Sequence, residues 1–383
     1  MRYRPISKLV PAAALLLAGA LTLSACGSNN NGTTNGNSGL GTQSAASDGN
    51  QPVNVTKADC VSGTLTADGS TAQQNAMALW IKDYQTKCPG ATITYGGGGS
   101  GQGVTDFTNG QVNFAGSDAA LDPSKGEVAA ATKGCGSQAI DLPMVTGPIA
   151  VSYHVSGVSD LTLTADEVAK IFTGKITKWN DPAIVATNPG AKLPSSSIHV
   201  FNRSDASGTT YNFESYLKAS APSVWSVTPD KQWAGAGQGK DGNPLLGQAV
   251  QSTSDSIGYV EWSYALQNGL SIAKIDNGGG AVALSSDSVG KTVDTAKPNP
   301  SGPGDLTLKL DYATKTPGAY PIVLVTYELV CTKYKDPQVG AMVKSFMNFI
   351  SSTAEQDAVH GQGYAALPAD VQQKVQAEIE KIS

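Results

Sequence analysis

The stretch Phe201-Asn202-Arg203-Ser204-Asp205-Ala206-Ser207-Gly208-Thr209-Thr210-Tyr211-Asn212-Phe213 decides how the rest of the chain is read. An apolar, β-branched run, Ile198-His199-Val200-Phe201, leads into it, and Phe213, Tyr216 and Leu217 follow on an amphipathic pattern. The pattern predicts strand, tight turn and helix, with Ser207-Gly208-Thr209 at the helix start. The first turn of a helix carries backbone N–H groups without intrahelical acceptors and the positive end of the dipole, so it favours an anion. Gly208 lets the backbone come close, Ser207 and Thr209 add hydroxyls, and Arg203 adds a planar fork that Asp205 is placed to brace. Taken alone, the stretch reads first as a capped helix with a surface ion pair. Whether it is an anion site depends on other stretches supplying the remainder.

Three other stretches qualify. Gly69-Ser70-Thr71 follows a strand expected over 63–67 and opens a helix carrying Met77, Leu79, Trp80 and Tyr84. The glycine-rich run 96–103, with Ser100 inside it, follows a strand expected over 91–95 and leads into a short helix with Val104 and Phe107. Gly116-Ser117-Asp118 ends a third strand, over 112–115. In open α/β sheets ligands bind at the carboxyl ends of strands. The glycine run is not a Walker loop, because Val104 stands where Lys is required. Nor is it a hydrolase nucleophile elbow, because Gln102 occupies the second glycine position around Ser100.

At 383 residues, 40% apolar and 15% charged, the chain has room for two soluble domains with full cores. Residues 1–25 stand apart: Arg2, Arg4 and Lys8 form a basic start, and an Ala- and Leu-rich run follows. Leu23-Ser24-Ala25-Cys26 closes the segment, which describes a secretory signal with a bacterial lipobox, so Cys26 is expected to carry lipid. No later run has the ~18 to 20 apolar residues of a membrane helix. Residues 26–54 are mostly Gly, Asn, Ser, Thr and Gln and read as a flexible tether with a reach of about 30 Å. Cleavage removes three cations and no acid, taking the net charge from −5 to −5 − 3 = −8. So acidic a protein is a poor partner for nucleic acid, and any attraction for an anion must be local.

Cys60, Cys88, Cys135 and Cys331 remain, an even number that outside the cell suggests two disulfides. Cys60 precedes the first strand and Cys88 ends the helix after it, which favours Cys60–Cys88 and Cys135–Cys331 among three possible pairings. No spacing resembles a metal motif, and no cofactor is expected.

Two apolar strands, 140–145 and 149–155, flank Gly147-Pro148, which reads as a crossover into a second domain. Thr164-Ala165-Asp166-Glu167 is a capping box opening a helix to Phe172. A helix near 245–250, a strand over 257–262 and a helix over 263–268 complete the second unit. Residues 277–318, dense in Gly, Ser, Asp and Pro, read as a long surface excursion, and 319–330 as a strand forming the return crossover. Val343, Phe346, Phe349 and Ile350, then Val371, Val375 and Ile379, mark closing core helices.

With these residues in view the chain resembles the phosphate-binding proteins of bacterial ABC phosphate importers, the PstS family, in its lipoprotein form. The resemblance rests on the 203–209 stretch, Thr164 to Asp181 (TADEVAKIFTGKITKWND), Ser256 to Gly269 (SIGYVEWSYALQNG) and Tyr364 to Pro368 (YAALP), and covers nearly all of 60–380. It implies a two-lobed α/β fold of the periplasmic-binding-protein type (type II-like), with two crossovers and the ligand in the interlobe cleft. Lobe I is then 55–147 with 325–383, and lobe II is 148–324. Carried over residue by residue, the family's phosphate ligands fall on Thr71, Ala72, Ser100, Asp118, Arg203, Ser207, Gly208 and Thr209, with Asp205 orienting Arg203. Ala72 stands where the family often has Phe; its N–H remains, and an aromatic wall is missing. The partners implied are inorganic phosphate, a permease pair with its ATPase, and the membrane through the lipid on Cys26. The rival readings are a receptor for sulfate or molybdate, which Asp118 disfavours, and a secreted phosphatase, for which nucleophile and metal ligands are lacking.

Overall fold

The computed structural model describes residues 59–383. The signal segment, Cys26 and the whole of the tether lie outside the described residues. The described part opens with β1 (Gly63–Gly69), α1 (Gln74–Lys87), β2 (Ala91–Tyr95), α2 (Ser100–Thr108), β3 (Phe114–Ser117) and α3 (Glu127–Cys135). The long β4 (Ala139–His154) leads to β5 (Thr162–Thr164), α4 (Ala165–Phe172) and α5 (Pro182–Thr187). Next come β6 (His199–Arg203), α6 (Gly208–Ser220), β7 (Gln238–Lys240), α7 (Gly242–Ser252), β8 (Ser256–Glu261) and α8 (Trp262–Gln267). Short strands β9 (Ser271–Ile272), β10 (Lys274–Asp276) and β11 (Ala281–Val282) precede α9 (Ser286–Val293) and the ribbon β12 (Lys297–Pro298) and β13 (Leu308–Lys309). The return strand β14 (Val323–Cys331) and helices α10 (Pro337–Ile350), α11 (Thr353–His360) and α12 (Ala369–Ile379) close the chain.

The main sheet runs β2-β1-β3-β14-β4-β8-β6-β7, with β9 also paired to β4. β1 is parallel to β2 and β3, and β6 is parallel to β7 and β8. β14 and β4 are antiparallel to each other and join the two halves. Two main cores result. Leu65, Trp80, Phe114, Leu329 and Phe346 belong to the first; Val151, Phe172, Trp179, Phe213 and Tyr259 belong to the second.

The two central strands change cores along their length. Leu142 and Met144 of β4 lie in the first core, and Ile149 and Val151 in the second; β14 makes the same passage in reverse, from Val323 to Leu329. Here one expectation is corrected: Gly147-Pro148 does not break the strand, and β4 is continuous over 16 residues. Pro148 is tolerated because the strand changes partner there, from β14 to β8. The excursion is corrected as well. Val289 and Val293 of α9 are buried in the second core, and the Leu306 N–H donates to the Asp141 carbonyl at 3.1 Å, so part of 277–318 closes the cores instead of lying over them.

The capping box is formed: the Thr164 side chain accepts from the Glu167 N–H, and the Glu167 carboxylate accepts from the Thr164 N–H. Both expected disulfides are present, with Cα–Cα distances of 5.4 Å for Cys60–Cys88 and 5.5 Å for Cys135–Cys331. The second ties the end of α3 to the end of β14, two elements of the first core.

Candidate functional site

Four chain segments converge where the two cores meet. The turn after β1 brings Ser70, Thr71 and Ala72; the start of α2 brings Ser100; the end of β3 brings Asp118; the turn between β6 and α6 brings Arg203 to Thr209. Thr71, Ser100, Asp118, Arg203, Ser207 and Thr209 are at most 3% exposed, so the site is sealed from bulk water. Burial to this degree strengthens every polar contact inside it.

Each segment is held by its own local chemistry. Ser207 caps α6, its side-chain oxygen accepting from the Thr210 N–H at 3.1 Å. Gly99, with φ of 89°, caps α2, and its N–H donates to the Gly69 carbonyl at 2.9 Å, so the glycine run lies against the end of β1. Asp68 accepts from the N–H groups of Gly69 at 2.6 Å and Gly98 at 2.9 Å. The helix expected to open at Thr71 starts at Gln74 instead; Thr71 to Gln73 form a bend, and Ser70 accepts from the Ala72 N–H at 3.0 Å.

Across the site the contacts link the two cores. Arg203 donates from Nε to Asp205 Oδ1 at 2.7 Å, pairs with Asp205 Oδ2 through Nη2, and reaches Thr209 Oγ1 from Nη1 at 3.4 Å. Asp205 in turn accepts from the Gly242 N–H at 3.1 Å. The Thr209 hydroxyl donates to Asp118 Oδ2 at 3.4 Å, Thr326 donates to Asp118 Oδ1 at 2.8 Å, and the Asp118 N–H donates to Ser100 Oγ at 3.1 Å. Burial pushes the Asp118 carboxyl above its ordinary range, against the lowering pull of hydrogen bonds from Ser70, Thr326 and Thr209 and of the Arg203 charge. Gly208 lies at the contact between lobes: a Cβ there would stand 2.5 Å from Ser100 Oγ and 2.6 Å from Asp118 Cβ.

All eight residues expected from sequence thus lie on the four converging segments, and Asp205 braces Arg203. Sequence reading missed Asn243, Thr326 and Asn212. Asn212 donates to the Asp118 carbonyl at 2.7 Å, one helical turn after Gly208. Asn243 sits beside the turn Asp241-Gly242, whose Gly242 has φ of 68°; that Asp-Gly turn before a helix was the available signal.

The family model described as a PBP superfamily domain matches residues 54–354. Phosphate-binding protein PstS 3 of Mycobacterium tuberculosis is 43% identical over 385 residues, covering 99% of this chain and 100% of that protein. This chain belongs to the PstS family of phosphate-binding proteins. Another member, phosphate-binding protein PstS of Methanocaldococcus jannaschii, is 31% identical over 349 residues, covering 84% of this chain and 86% of its own. Among solved structures, a phosphate-binding protein from Stenotrophomonas maltophilia superposes with a TM-score of 0.63 at 21% identity, covering 82% of this chain and 94% of that one, which shows the same fold. PstS proteins are binding proteins, so this chain is a solute-binding protein and not an enzyme.

Proposed function

We propose that this PstS protein captures inorganic phosphate outside the cytoplasm and delivers it to an ABC importer, a permease pair with its ATPase. Two lobes, 55–147 with 325–383 and 148–324, close around the anion. Thr71, Ser100, Ser207, Gly208 and Thr209 supply N–H and O–H donors, the Ala72 N–H joins them by turning from Ser70 Oγ to the anion, Arg203 supplies the charge, and Asp205 orients Arg203. A lipid on Cys26 anchors the protein to the outer face of the cell membrane through the tether.

The observation that carries this reading is Asp118, a buried carboxyl set among donors for an anion. Near neutral pH phosphate keeps at least one proton and sulfate keeps none. The carboxylate accepts a hydrogen bond from the protonated oxygen, whereas sulfate sets a bare oxygen against it. A buried mispairing of that kind discriminates strongly. Phosphate has few atoms, so with a ceiling near 1.5 kcal/mol per non-hydrogen atom its binding reaches about 7.5 kcal/mol, the low-micromolar range. That ceiling requires nearly every oxygen to meet a good donor, which the four segments provide.

Calorimetric titration of the phosphate-stripped protein tests it. Phosphate is expected to bind at low-micromolar Kd, with no saturable heat from sulfate. Equal binding of both anions removes the assignment of Asp118, and no phosphate binding removes the reading altogether.

A further inference from the structure

Asn243 is completely buried at the start of α7, and its polar atoms are fully committed. Its backbone N–H and its side-chain Nδ2 both donate to Thr71 Oγ1, each at 3.1 Å. Nδ2 also donates to Thr209 Oγ1 at 3.2 Å, and Oδ1 accepts from the Glu261 N–H at 3.0 Å. Thr71 packs with the β1 end of the sheet, and Thr209 and Glu261 with the β6 and β8 end. One side chain therefore spans the contact between the lobes.

The chemistry of a hydroxyl gives this arrangement a consequence. A hydroxyl oxygen accepts at two lone pairs and donates one proton. Thr71 Oγ1 already accepts two bonds from Asn243, so only its proton remains to be used. Thr209 Oγ1 accepts from Asn243 and from Arg203 Nη1, and its proton goes to Asp118 Oδ2. Both hydroxyls are thereby fixed as donors, and the Thr71 proton is the one left for an anion's oxygen. A free threonine rotor presents lone pairs as readily as its proton.

Building on the phosphate-binding reading, we propose that Asn243 is a positioning residue for the ligand: it turns the Thr71 hydroxyl into an obligate donor, and it does so only when the lobes meet. Loss of the amide leaves Thr71 Oγ1 with the backbone N–H of residue 243 as its one remaining donor, so the rotor loosens and a lone pair then competes with phosphate oxygens in the closed site.

A double-mutant cycle tests the mechanism, because coupled residues lose less together than the product of their separate losses. Phosphate Kd is measured by calorimetry for the native protein, Asn243→Ala, Thr71→Val and the double variant, with ligand-free melting temperatures as a folding check. Asn243→Ala is expected to weaken phosphate about 10-fold or more, the scale of a lost buried hydrogen-bond network. In the Thr71→Val background the same change is expected to cost less than about a third of that factor. Fold-losses that multiply, or native-like affinity in Asn243→Ala, overturn the proposal. Should Asn243→Ala melt early, Asn243→Asp, which keeps the acceptor for the Glu261 N–H, takes its place in the cycle with the same criteria. Absence of phosphate binding by the native protein defeats the functional reading instead, so the two failures are distinguishable.

Discussion

Lys231 ties the rim of the cleft to its floor: its Nζ lies 2.9 Å from Glu127 Oε1, and its carbonyl oxygen accepts the Ser207 N–H at 2.8 Å. Glu127 opens α3, which packs on the first core, and Lys231 lies in the loop beside Trp233, which packs on the second. Next to them Lys125 pairs with Asp230 at 2.7 Å. Two ion pairs thus cross between the lobes at one edge of the site. The Lys231–Glu127 pair is largely shielded from solvent and the Lys125–Asp230 pair is not, so the first is the stronger contributor.

Glu127→Gln is expected to weaken phosphate binding several-fold, on the scale of about 0.5–1 kcal/mol, through faster release. Stopped-flow measurement of the dissociation rate checks this. An unchanged rate shows that the pair does not favour the closed form.

Arg203→Lys is expected to reduce phosphate affinity about 10- to 100-fold, because an ammonium cannot reproduce the planar fork that Asp205 holds on two nitrogens. Calorimetry reads the loss directly; native affinity removes Arg203 from the ligand shell.

Asp118→Asn keeps the shape and the contact with Thr326 while removing the charge. The gap between phosphate and sulfate is expected to narrow, since the amide presents a donor where the carboxylate repels a bare oxygen. Competition between the two anions in native and variant protein decides it, and equal rejection of sulfate by both counts against the repulsion argument.

Gly208→Ala separates closure from folding. The added Cβ occupies space taken by Ser100 and Asp118 of the other lobe, while alanine suits the first helical position of α6. Phosphate affinity is expected to fall about 10- to 100-fold through overpacking of the closed contact. The ligand-free melting temperature is expected to stay within about 2 °C of native, by the size of ordinary surface-type effects. Native affinity contradicts the role assigned to this glycine.

Glu328 on β14 is buried, and among the described residues neither of its carboxylate oxygens has a well-formed hydrogen bond. Burial pushes its pKa from 4.5 up to about 8, with the Asp118 charge adding to the rise and the Gln73 side chain opposing it. The folded protein holds this proton after the unfolded chain has lost it. The group's contribution is therefore full below about pH 4.5 and is lost as the pH rises toward 8, at no more than about 1.4 kcal/mol per pH unit. Glu328→Gln is expected to flatten that part of the slope in urea unfolding of the phosphate-free protein between pH 5 and pH 8. Identical slopes in variant and native protein rule the assignment out.

Local pattern was sufficient for what depends on neighbours in the chain. The β6–α6 turn with its Ser207 cap, the Thr164 capping box and the helical stripes of α1 and α10 follow from spacing and residue type alone. The crossover at Gly147-Pro148 was legible as an event but not as its form. A Gly-Pro pair reads as a break, and only pairing with β14 on one side and β8 on the other keeps the strand whole. Likewise the low apolar content of 277–318 concealed Val289 and Val293, whose burial depends on the second core and on β14 within it.

By itself the sequence determined the donor-rich turns, the lone carboxyl at Asp118 and the charge at Arg203, because each is written in a few consecutive residues. Tertiary structure alone decided their polarity and their joint use. The Thr71 hydroxyl becomes a donor through Asn243, which is 172 residues away in the chain. Hydrogen-bond direction at a hydroxyl is set by whichever groups fold against it, and no spacing along a chain encodes that.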